Sequence, residues 1–404
     1  DDLLGDSHLA APHELAELLA RHAEKLGVTD ALAYLVDLQQ SVLVPFLPPR
    51  AIRLNEQVDV LGVDSTIAGR AYQHVEVVMQ ELAAGGTRVW IPLLDGTERL
   101  GVLGVTVADP HALEAAGGLL DTRLRRFASL AAELIMTKSP YGDTLVRLKR
   151  RSPMGLAAEM QWALLPPLTF ACQSVTIASA LEPAYEVAGD SVDYAVDPSR
   201  ARFAVFDGMG HGLGSAQLAV LAIAAYRNAR RANRSLSQTA RAIEIAVHAV
   251  FGGQAFTTAV LAELDTDTGS LTWVNAGHPE PLLLRAGRLV KSLHLEPSLP
   301  FGLRTGLTTP GDDLVVGREQ LEPGDRVLLY TDGVTEARSP EGEHFGVQRL
   351  TDLLGRNLAG GLPTPETMRR VVRSLMEHQQ GQLDDDATML LVEWCSGNKE
   401  ILLP

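Results

Sequence analysis

Residues 203–212 read Phe-Ala-Val-Phe-Asp-Gly-Met-Gly-His-Gly, an apolar run that ends in an acidic residue followed by glycine. A short apolar run bounded by turn residues predicts a buried strand. Such a strand would hold Asp207 at its end, and Gly208 would let the backbone turn sharply, so that a carbonyl could face the same point as the carboxylate. A lone Asp-Gly pair is ordinarily a plain turn, so a ligand-binding interpretation needs further acidic strand ends elsewhere in the chain.

Three other acidic segments lie beside predicted strands or tight turns. Residues 327–330, Val-Leu-Leu-Tyr, lead into Asp332, and the acidic triplet 384–386 precedes another apolar run. Asp190 and Asp193 follow a glycine in a segment that we predict to be rich in turns. Several carboxylates at one sheet edge would be costly to leave unpaired, so a divalent cation is the natural counter-ion. Oxygen ligands without a nearby cysteine favour Mg²⁺ or Mn²⁺ over zinc.

Each of these pieces also has an ordinary structural interpretation. An acidic triplet near a C-terminus is usually solvated surface. His211 and His278, taken singly, are more often structural than ligands. Residues 275–279, Asn-Ala-Gly-His-Pro, would by themselves predict a tight turn after a strand. The functional interpretation therefore depends on the joint occurrence and the order of the segments.

The composition indicates a globular protein of two or three domains. The chain has 404 residues, 46% of them hydrophobic, and its 50 acidic against 35 basic side chains give a formal charge of −15. An acidic surface disfavours nucleic acid and anionic lipid as partners. Two cysteines, Cys172 and Cys395, are too few for a disulfide framework or a cysteine-based zinc site. No apolar run approaches the roughly 20 residues that span a bilayer, so we expect a cytoplasmic protein without a membrane partner.

Residues 1–138 are predicted to form an α+β domain. Two hairpins are expected in it, one of residues 31–38 with 41–46 and one of residues 87–94 with 99–107. A helix is predicted between them at residues 66–82, and a long helix at residues 119–136 closes the domain. The long helix carries a short heptad pattern, which predicts either a core-facing helix or a seam between two chains. The pattern consists of Leu120, Leu124, Phe127, Ala131 and Leu134.

Residues 139–167 are predicted to be a helical linker that contains a helix at residues 155–165, and residues 168–396 are predicted to be a second domain. Two helices in this domain follow each other without an intervening strand, which predicts layered antiparallel sheets with paired helices rather than a parallel sheet. The helices are expected at residues 214–231 and 236–251, and the strands at residues 174–181, 202–206, 257–264, 270–275, 326–330 and 389–393.

Taken in order, five segments of the second domain resemble the metal-dependent protein phosphatases of the PPM superfamily, the type 2C group, and within it the SpoIIE/RsbU type. The segments are residues 188–190, 206–212, 275–279, 329–336 and 385–388. The resemblance covers about residues 155–394 and implies an αββα sandwich with two Mn²⁺ or Mg²⁺ ions at one rim. The sequence departs from the pattern at Ala188, where the branch has a glycine, and at Ser191-Val192, where aromatic residues are common.

The resemblance also implies a role for each acidic residue. Asp207 should bridge both ions, Asp190 and the Gly208 carbonyl should bind one of them, and Asp332 and Asp385 should bind the other. Asp207, Asp332 and Asp385 are therefore also the expected catalytic residues. Three further aspartates are candidates for holding water or supporting these ligands: Asp193, Asp384 and Asp386.

By the same resemblance, a metal-activated hydroxide hydrolyses phosphoserine or phosphothreonine without a covalent enzyme intermediate. The usual substrate in this branch is a phosphorylated anti-anti-sigma (STAS) protein. Two alternatives stay open: a catalytically inactive ligand-sensing scaffold, and a hydrolase of a small phosphate ester.

Residues 1–138 resemble a GAF domain, most clearly across residues 66–72 and 87–107. GAF domains bind small molecules or mediate dimerisation, and the sequence does not identify a ligand. The hypothesis is a homodimer in which the helices at residues 119–136 and 155–165 carry the state of the GAF-like domain to the metal rim.

Overall fold

The structure, a computed structural model, describes residues 2–54, 57–83, 85–183, 185–186, 189–296, 298–303, 314–381, 383 and 385–395. The chain divides into one unit that extends to Pro153 and another that begins at Met154. The division falls inside the predicted linker, residues 139–167. None of the described helices combines the length and the apolar character that crossing a membrane requires.

The first unit is built on one antiparallel sheet with strand order β3-β2-β1-β6-β5-β4. Its strands are β1 Thr29–Val36, β2 Val42–Pro45, β3 Leu61–Gly62, β4 Val78–Glu81, β5 Thr87–Asp95 and β6 Glu98–Val107. Its helices are α1 Asp2–Ser7, α2 Leu15–Glu24, α3 Pro49–Arg53, α4 Ile67–His74, α5 His111–Lys138 and α6 Thr144–Lys149. Both predicted hairpins, β1–β2 and β5–β6, are confirmed. The second turns at Gly96, whose φ of +57° suits glycine.

Helix α5 packs against one face of this sheet. The heptad residues Leu124, Phe127, Ala131 and Leu134 are all buried in one apolar cluster with side chains of α2 and β5. Leu120 is partly buried against the same cluster. Of the two interpretations of the heptad pattern, the core-facing helix is therefore the one that the structure shows.

The helix predicted at residues 66–82 is too long. Thr66 caps α4 by accepting a hydrogen bond from the Gly69 amide at 3.0 Å, but the helix ends at His74, and Val75 adopts a left-handed conformation with φ +55°. Residues Val78–Glu81 instead form β4 at the sheet edge, paired with β5. Pairing with a neighbouring strand overrides the helical pattern of the sequence there.

The second unit contains two antiparallel sheets, with orders β15-β12-β11-β10-β9 and β14-β13-β16-β17-β8-β7. The strands are β7 Thr169–Ala171, β8 Val175–Glu182, β9 Asp190–Asp197, β10 Arg200–Gly208, β11 Thr257–Asp265, β12 Ser270–Ala276, β13 Leu282–Arg285, β14 Arg288–Ser292, β15 Gly317–Gln320, β16 Arg326–Tyr330 and β17 Ala387–Trp394. The helices are α7 Leu156–Trp162, α8 Leu213–Arg231, α9 Leu236–Phe251, α10 Asp332–Thr335, α11 Gly346–Ala359 and α12 Thr364–His378.

The two sheets pack face to face over an apolar core to which Phe203 and Val205 of β10, Leu329 of β16 and Leu390 of β17 contribute. Helices α8 and α9 cover the outer face of the first sheet, and α11 and α12 cover that of the second. The predicted αββα sandwich is therefore confirmed, together with the six predicted strands and the consecutive helices α8 and α9.

One segment of this unit differs from its prediction. The residues around Asp190 and Asp193, predicted to be rich in turns, form strand β9, which pairs with β10 along its whole length. The prediction also lacks strands β7, β13, β14 and β15. Pairing with β10 defines β9 despite acidic residues that disfavour strands.

Candidate metal centre

Asp190 and Asp207 lie opposite each other on neighbouring strands of the first sheet, since Asp190 opens β9 and Asp207 is its register partner on β10. The Gly208 amide donates to the Gly189 carbonyl at 3.0 Å and fixes this end of the strand pair. Side chains alternate along a strand, so Asp207 shares a face with the core residue Val205. Both carboxylates therefore lie at the rim of the space between the two sheets.

The second sheet supplies the other carboxylates. Asp332 begins α10 just after β16, and Asp385 precedes the neighbouring strand β17. The Thr331 amide donates to the Thr388 carbonyl at 3.0 Å and ties the two segments together. The Thr331 hydroxyl donates to Asp190 Oδ2 at 2.7 Å, so it links this sheet directly to the aspartate of the other sheet.

The carboxylates at this rim influence one another strongly. Burial, followed by the charges of Asp332, Asp385 and Asp386, raises the pKa of Asp207 to about 7. Burial, followed by the charges of Asp207 and Asp386, raises the pKa of Asp190 well above its usual range. Burial and then the charge of Asp385 raise the pKa of Asp332. The acidic groups of the two sheets are therefore close enough to raise one another's pKa.

Among the described residues, neither Asp190, Asp207, Asp332 nor Asp385 forms an ion pair with lysine, arginine or histidine. Within the same part of the chain, no three acidic, histidine or cysteine side chains are gathered closely around a single point. The carboxylates thus form a rim of mutually repelling charges rather than a closed cage. Oxygen donors with uncompensated negative charge fit hard divalent cations such as Mg²⁺ or Mn²⁺.

Glycines allow the close approach of backbone at the rim. A Cβ atom at Gly333 would lie 1.9 Å from the Asp386 carbonyl oxygen, and one at Gly189 would lie 2.5 Å from the Gly208 carbonyl oxygen. The Gly208 carbonyl also accepts a hydrogen bond from the Ser215 hydroxyl at 2.8 Å. The Gly208 carbonyl oxygen has a second lone pair, with which it could coordinate a metal ion.

The three candidate supporting residues have different surroundings. Asp386 Oδ2 accepts hydrogen bonds from the amides of Gly189, at 2.7 Å, and Asp190, at 3.3 Å, so it holds the start of β9 in place. Asp384 lies outside the described residues, as does Ala188. The structure does not bring Asp193 to the rim, because a residue three positions after Asp190 on a strand faces the opposite side of the sheet.

On that opposite side, Asp193 is buried against α8. Its Oδ1 accepts hydrogen bonds from Arg227, the shorter at 2.8 Å, and its Oδ2 lies 3.1 Å from Arg230 Nη2. The sequence prediction that Asp193 holds water at the metal rim therefore has no support in these contacts. Asp193 instead joins β9 to α8.

Several residues that the sequence did not single out contact the rim aspartates. Thr258, the register partner of Asp207 on β11, has its Oγ1 atom 3.4 Å from Asp207 Oδ2. The buried Gln161 of α7 donates to the Asp190 carbonyl at 2.8 Å. Only the pairing register and the fold bring these residues to the site. The sequence pointed to this neighbourhood only through His278, a residue of the segment 275–279. Its Nδ1 lies 2.7 Å from Thr258 Oγ1.

Comparisons with known proteins identify the second unit independently of this geometry. Residues 197–395 match the family model described as Stage II sporulation protein E (SpoIIE). The chain is 25% identical over 244 residues to the phosphoserine phosphatase RsbU of Bacillus subtilis (strain 168), which covers 60% of this chain and 70% of the relative. It is 26% identical over 225 residues to the phosphoserine phosphatase RsbP of the same organism, which covers 54% and 52%.

The chain is also similar to two further proteins of known name. Protein IcfG of Synechocystis sp. (strain ATCC 27184 / PCC 6803 / Kazusa) is 33% identical over 138 residues, which are 34% of this chain and 20% of the relative. The chain thus spans a fifth of IcfG and about half of RsbP. Among solved structures, the SiaA-PP2C domain of Pseudomonas aeruginosa is 24% identical with a TM-score of 0.48, covering 59% of this chain and 94% of that domain.

Proposed function

Because residues 197–395 belong to the SpoIIE family of PP2C-type phosphatase domains, we propose that this protein is a metal-dependent phosphatase that hydrolyses phosphoserine or phosphothreonine on a protein substrate. The observation that carries the proposal is the rim at which Asp190 and Asp207 of one sheet meet Asp332 and Asp385 of the other, with no cationic partner among the described residues. A substrate phosphate could approach such a rim only with its charge offset by bound cations.

In this proposal two Mn²⁺ or Mg²⁺ ions would be held at the rim: Asp207 would contribute to both, Asp190 and the Gly208 carbonyl to one, and Asp332 and Asp385 to the other. Bound ions of this kind lower the pKa of a coordinated water, so that hydroxide is available near neutral pH. The Thr331 hydroxyl orients Asp190, and Asp386 anchors the strand that carries it. These contacts pre-position oxygen donors from both sheets before a ligand arrives.

The placement of the cysteines argues against a cysteine nucleophile. Cys395 follows the last residue of β17, whereas Asp385 precedes the first. The Cys172 amide donates to the carbonyl of Val175, whose register partner on β17 is Trp394. Both cysteines therefore lie at one end of the strands of the second sheet, and the acidic rim lies at the other end.

The test is Mn²⁺-dependent release of phosphate from a phosphorylated STAS protein. We expect Asp207→Asn and Asp332→Asn to lower the rate at least about 100-fold, since even outer-shell substitutions at metal sites cost 10–100-fold. Asp197→Asn is the matched control, because Asp197 is exposed at the far end of β9. Full activity of the two rim variants would contradict the proposal.

The same assay separates the alternatives. A small aromatic phosphate ester hydrolysed faster than any phosphoprotein would favour a small-ester hydrolase. Mn²⁺ binding without turnover of either substrate would favour an inactive scaffold. The STAS protein is chosen as substrate because of the resemblance of the five ordered segments to the SpoIIE/RsbU branch.

The first unit is proposed to be a GAF-like sensor that regulates the phosphatase through a small-molecule ligand, in a homodimer. Its six-stranded antiparallel sheet with α4 on one face and α2 and α5 on the other supports a ligand-sensing α/β domain. The heptad residues of α5 are used within the unit's own core, so they do not supply the dimer contact. A solution mass equal to one chain at all concentrations would contradict the homodimer.

A further inference from the structure

His278 lies in the segment of residues 275–279, which begins in the last two residues of β12 and has no role in the proposed function so far. Asn275 clamps this segment on both sides: its Nδ2 donates to the His278 carbonyl, and its Oδ1 accepts from the His278 amide, both at 2.8 Å. Gly277 has φ +68°, and a Cβ atom there would lie 2.9 Å from Pro300 Cγ. The segment therefore fixes the position of the imidazole ring, which is only 6% exposed.

The ring is held against a residue that touches Asp207. Its Nδ1 atom lies 2.7 Å from Thr258 Oγ1, and the same hydroxyl oxygen lies 3.4 Å from Asp207 Oδ2. Thr258 is the register partner of Asp207 across β10 and β11, so the pairing of these strands fixes the positions of Thr258 and Asp207 relative to each other. Without His278, the Thr258 hydroxyl could rotate away from the carboxylate.

The direction of these hydrogen bonds depends on the position of one proton. Burial lowers the pKa of His278 to about 3, with the main chain of Tyr330 acting in the opposite direction, so the ring is neutral. An ionised Asp207 carboxylate only accepts hydrogen bonds, so the Thr258 hydroxyl is the donor in the contact with Asp207 Oδ2. That hydroxyl has one proton, so its contact with His278 Nδ1 is a hydrogen bond only when the ring carries its proton on Nδ1 and donates it to Thr258.

We propose that His278 is a positioning residue, which donates through Nδ1 to Thr258 and thereby directs the Thr258 hydroxyl to Asp207 Oδ2. The inference rests on the proposed function, in which Asp207 contributes to holding both ions. Outer-shell partners orient the ligands of a metal and change its affinity by 10–100-fold. His278 therefore acts on metal affinity through Thr258 and does not touch the ions or the substrate.

The test is the affinity of the full chain for Mn²⁺, measured by calorimetry. We expect Thr258→Val and His278→Leu each to weaken Mn²⁺ binding about 10–100-fold, and the double variant to be no weaker than Thr258→Val alone. Thr258→Ser keeps the hydroxyl and His278→Asn keeps an N–H near Nδ1, so both should bind close to the wild-type affinity. Thr272→Val on β12 is the matched control, because the Thr272 hydroxyl donates to the Glu263 carbonyl and does not contact a rim residue.

The outcomes separate the inference from the function on which it rests. Failure of the wild-type chain to bind Mn²⁺ or Mg²⁺ would contradict the proposed function. Wild-type binding with unchanged affinity in His278→Leu would overturn the role of His278 and leave the function intact. A lower melting temperature of the metal-free variants without a change in affinity would mean that the contact is only structural.

A second measurement covers the case in which His278→Leu does not fold. Long-range ¹H–¹⁵N correlation spectra of the wild-type protein, labelled at histidine, distinguish a ring protonated at Nδ1 from one protonated at Nε2. An Nδ1–H signal assigned to His278 by comparison with His278→Asn supports the inference, and an Nε2–H signal overturns it.

Discussion

At the scale of single residues, Asp193 is held by two arginines of α8. The carboxylate is 1% exposed, and Arg227 and Arg230 are 19% and 9% exposed. Arg227 also donates to the carbonyl of Leu164, which lies just beyond α7. Removing one partner from such a buried group leaves uncompensated charge in the interior.

We therefore expect Asp193→Ala to lower the free energy of unfolding by about 3–5 kcal/mol, measured by urea denaturation. Mn²⁺ affinity of the folded variant should stay at the wild-type value, because Asp193 faces away from the rim. Asp197→Ala, at the exposed end of the same strand, serves as the control and should change neither quantity. A large loss of Mn²⁺ affinity in folded Asp193→Ala would instead place this residue in the metal centre.

At the scale of secondary-structure elements, the buried side chain of Gln161 connects α7 to the proposed metal centre. The Gln161 amide donates to the Asp190 carbonyl, and Gln161 is 1% exposed. This helix overlaps the segment 155–165 that the sequence predicted to carry a signal. The hydrogen bond from Gln161 to Asp190 is a contact through which α7 could transmit the state of the first unit. A shift of α7 would move the main chain of Asp190, a residue proposed to bind metal.

Replacing Gln161 by leucine removes this hydrogen bond while keeping a side chain of similar size. We expect a loss of about 1–3 kcal/mol in the free energy of unfolding and Mn²⁺ binding weaker by about 10-fold. Calorimetry and denaturant unfolding check both effects. Gln217→Leu, at an exposed position of α8, is the control. If Mn²⁺ binding is unaffected in Gln161→Leu, α7 has no influence on the rim through this contact.

The sequence predicted best those elements whose hydrophobic pattern and turn residues lie within the element itself. The Asp95-Gly96 hairpin and the buried strands that end at Asp207 and Asp332 carry their own turn and burial signals. Strand β9 does not, because its acidic residues become favourable only through Thr331 and the arginines of α8. For the same reason the sequence identified the rim aspartates but not Thr258, whose place depends on the pairing of β11 with β10.

At the scale of the whole molecule, part of the acidic excess is concentrated in one place. The formal charge is −15, and four of the acidic groups, Asp190, Asp207, Asp332 and Asp385, contribute to the rim of the second unit. Two divalent cations would offset those four charges locally. With these four charges offset, the net charge of the chain stays negative, which disfavours polyanions as partners.

Since the proposed ions bind only the folded second unit, they should stabilise that unit alone. At a free Mn²⁺ concentration about 100 times the dissociation constant, the stabilisation is about 2.7 kcal/mol. Differential scanning calorimetry of the full chain should then show one transition that moves upward with Mn²⁺ and one that does not. The moving transition should be unaffected by Mn²⁺ in Asp207→Asn and should respond normally in Asp197→Asn. Movement of both transitions with Mn²⁺, in the absence of a ligand for the first unit, would contradict stabilisation of the second unit alone.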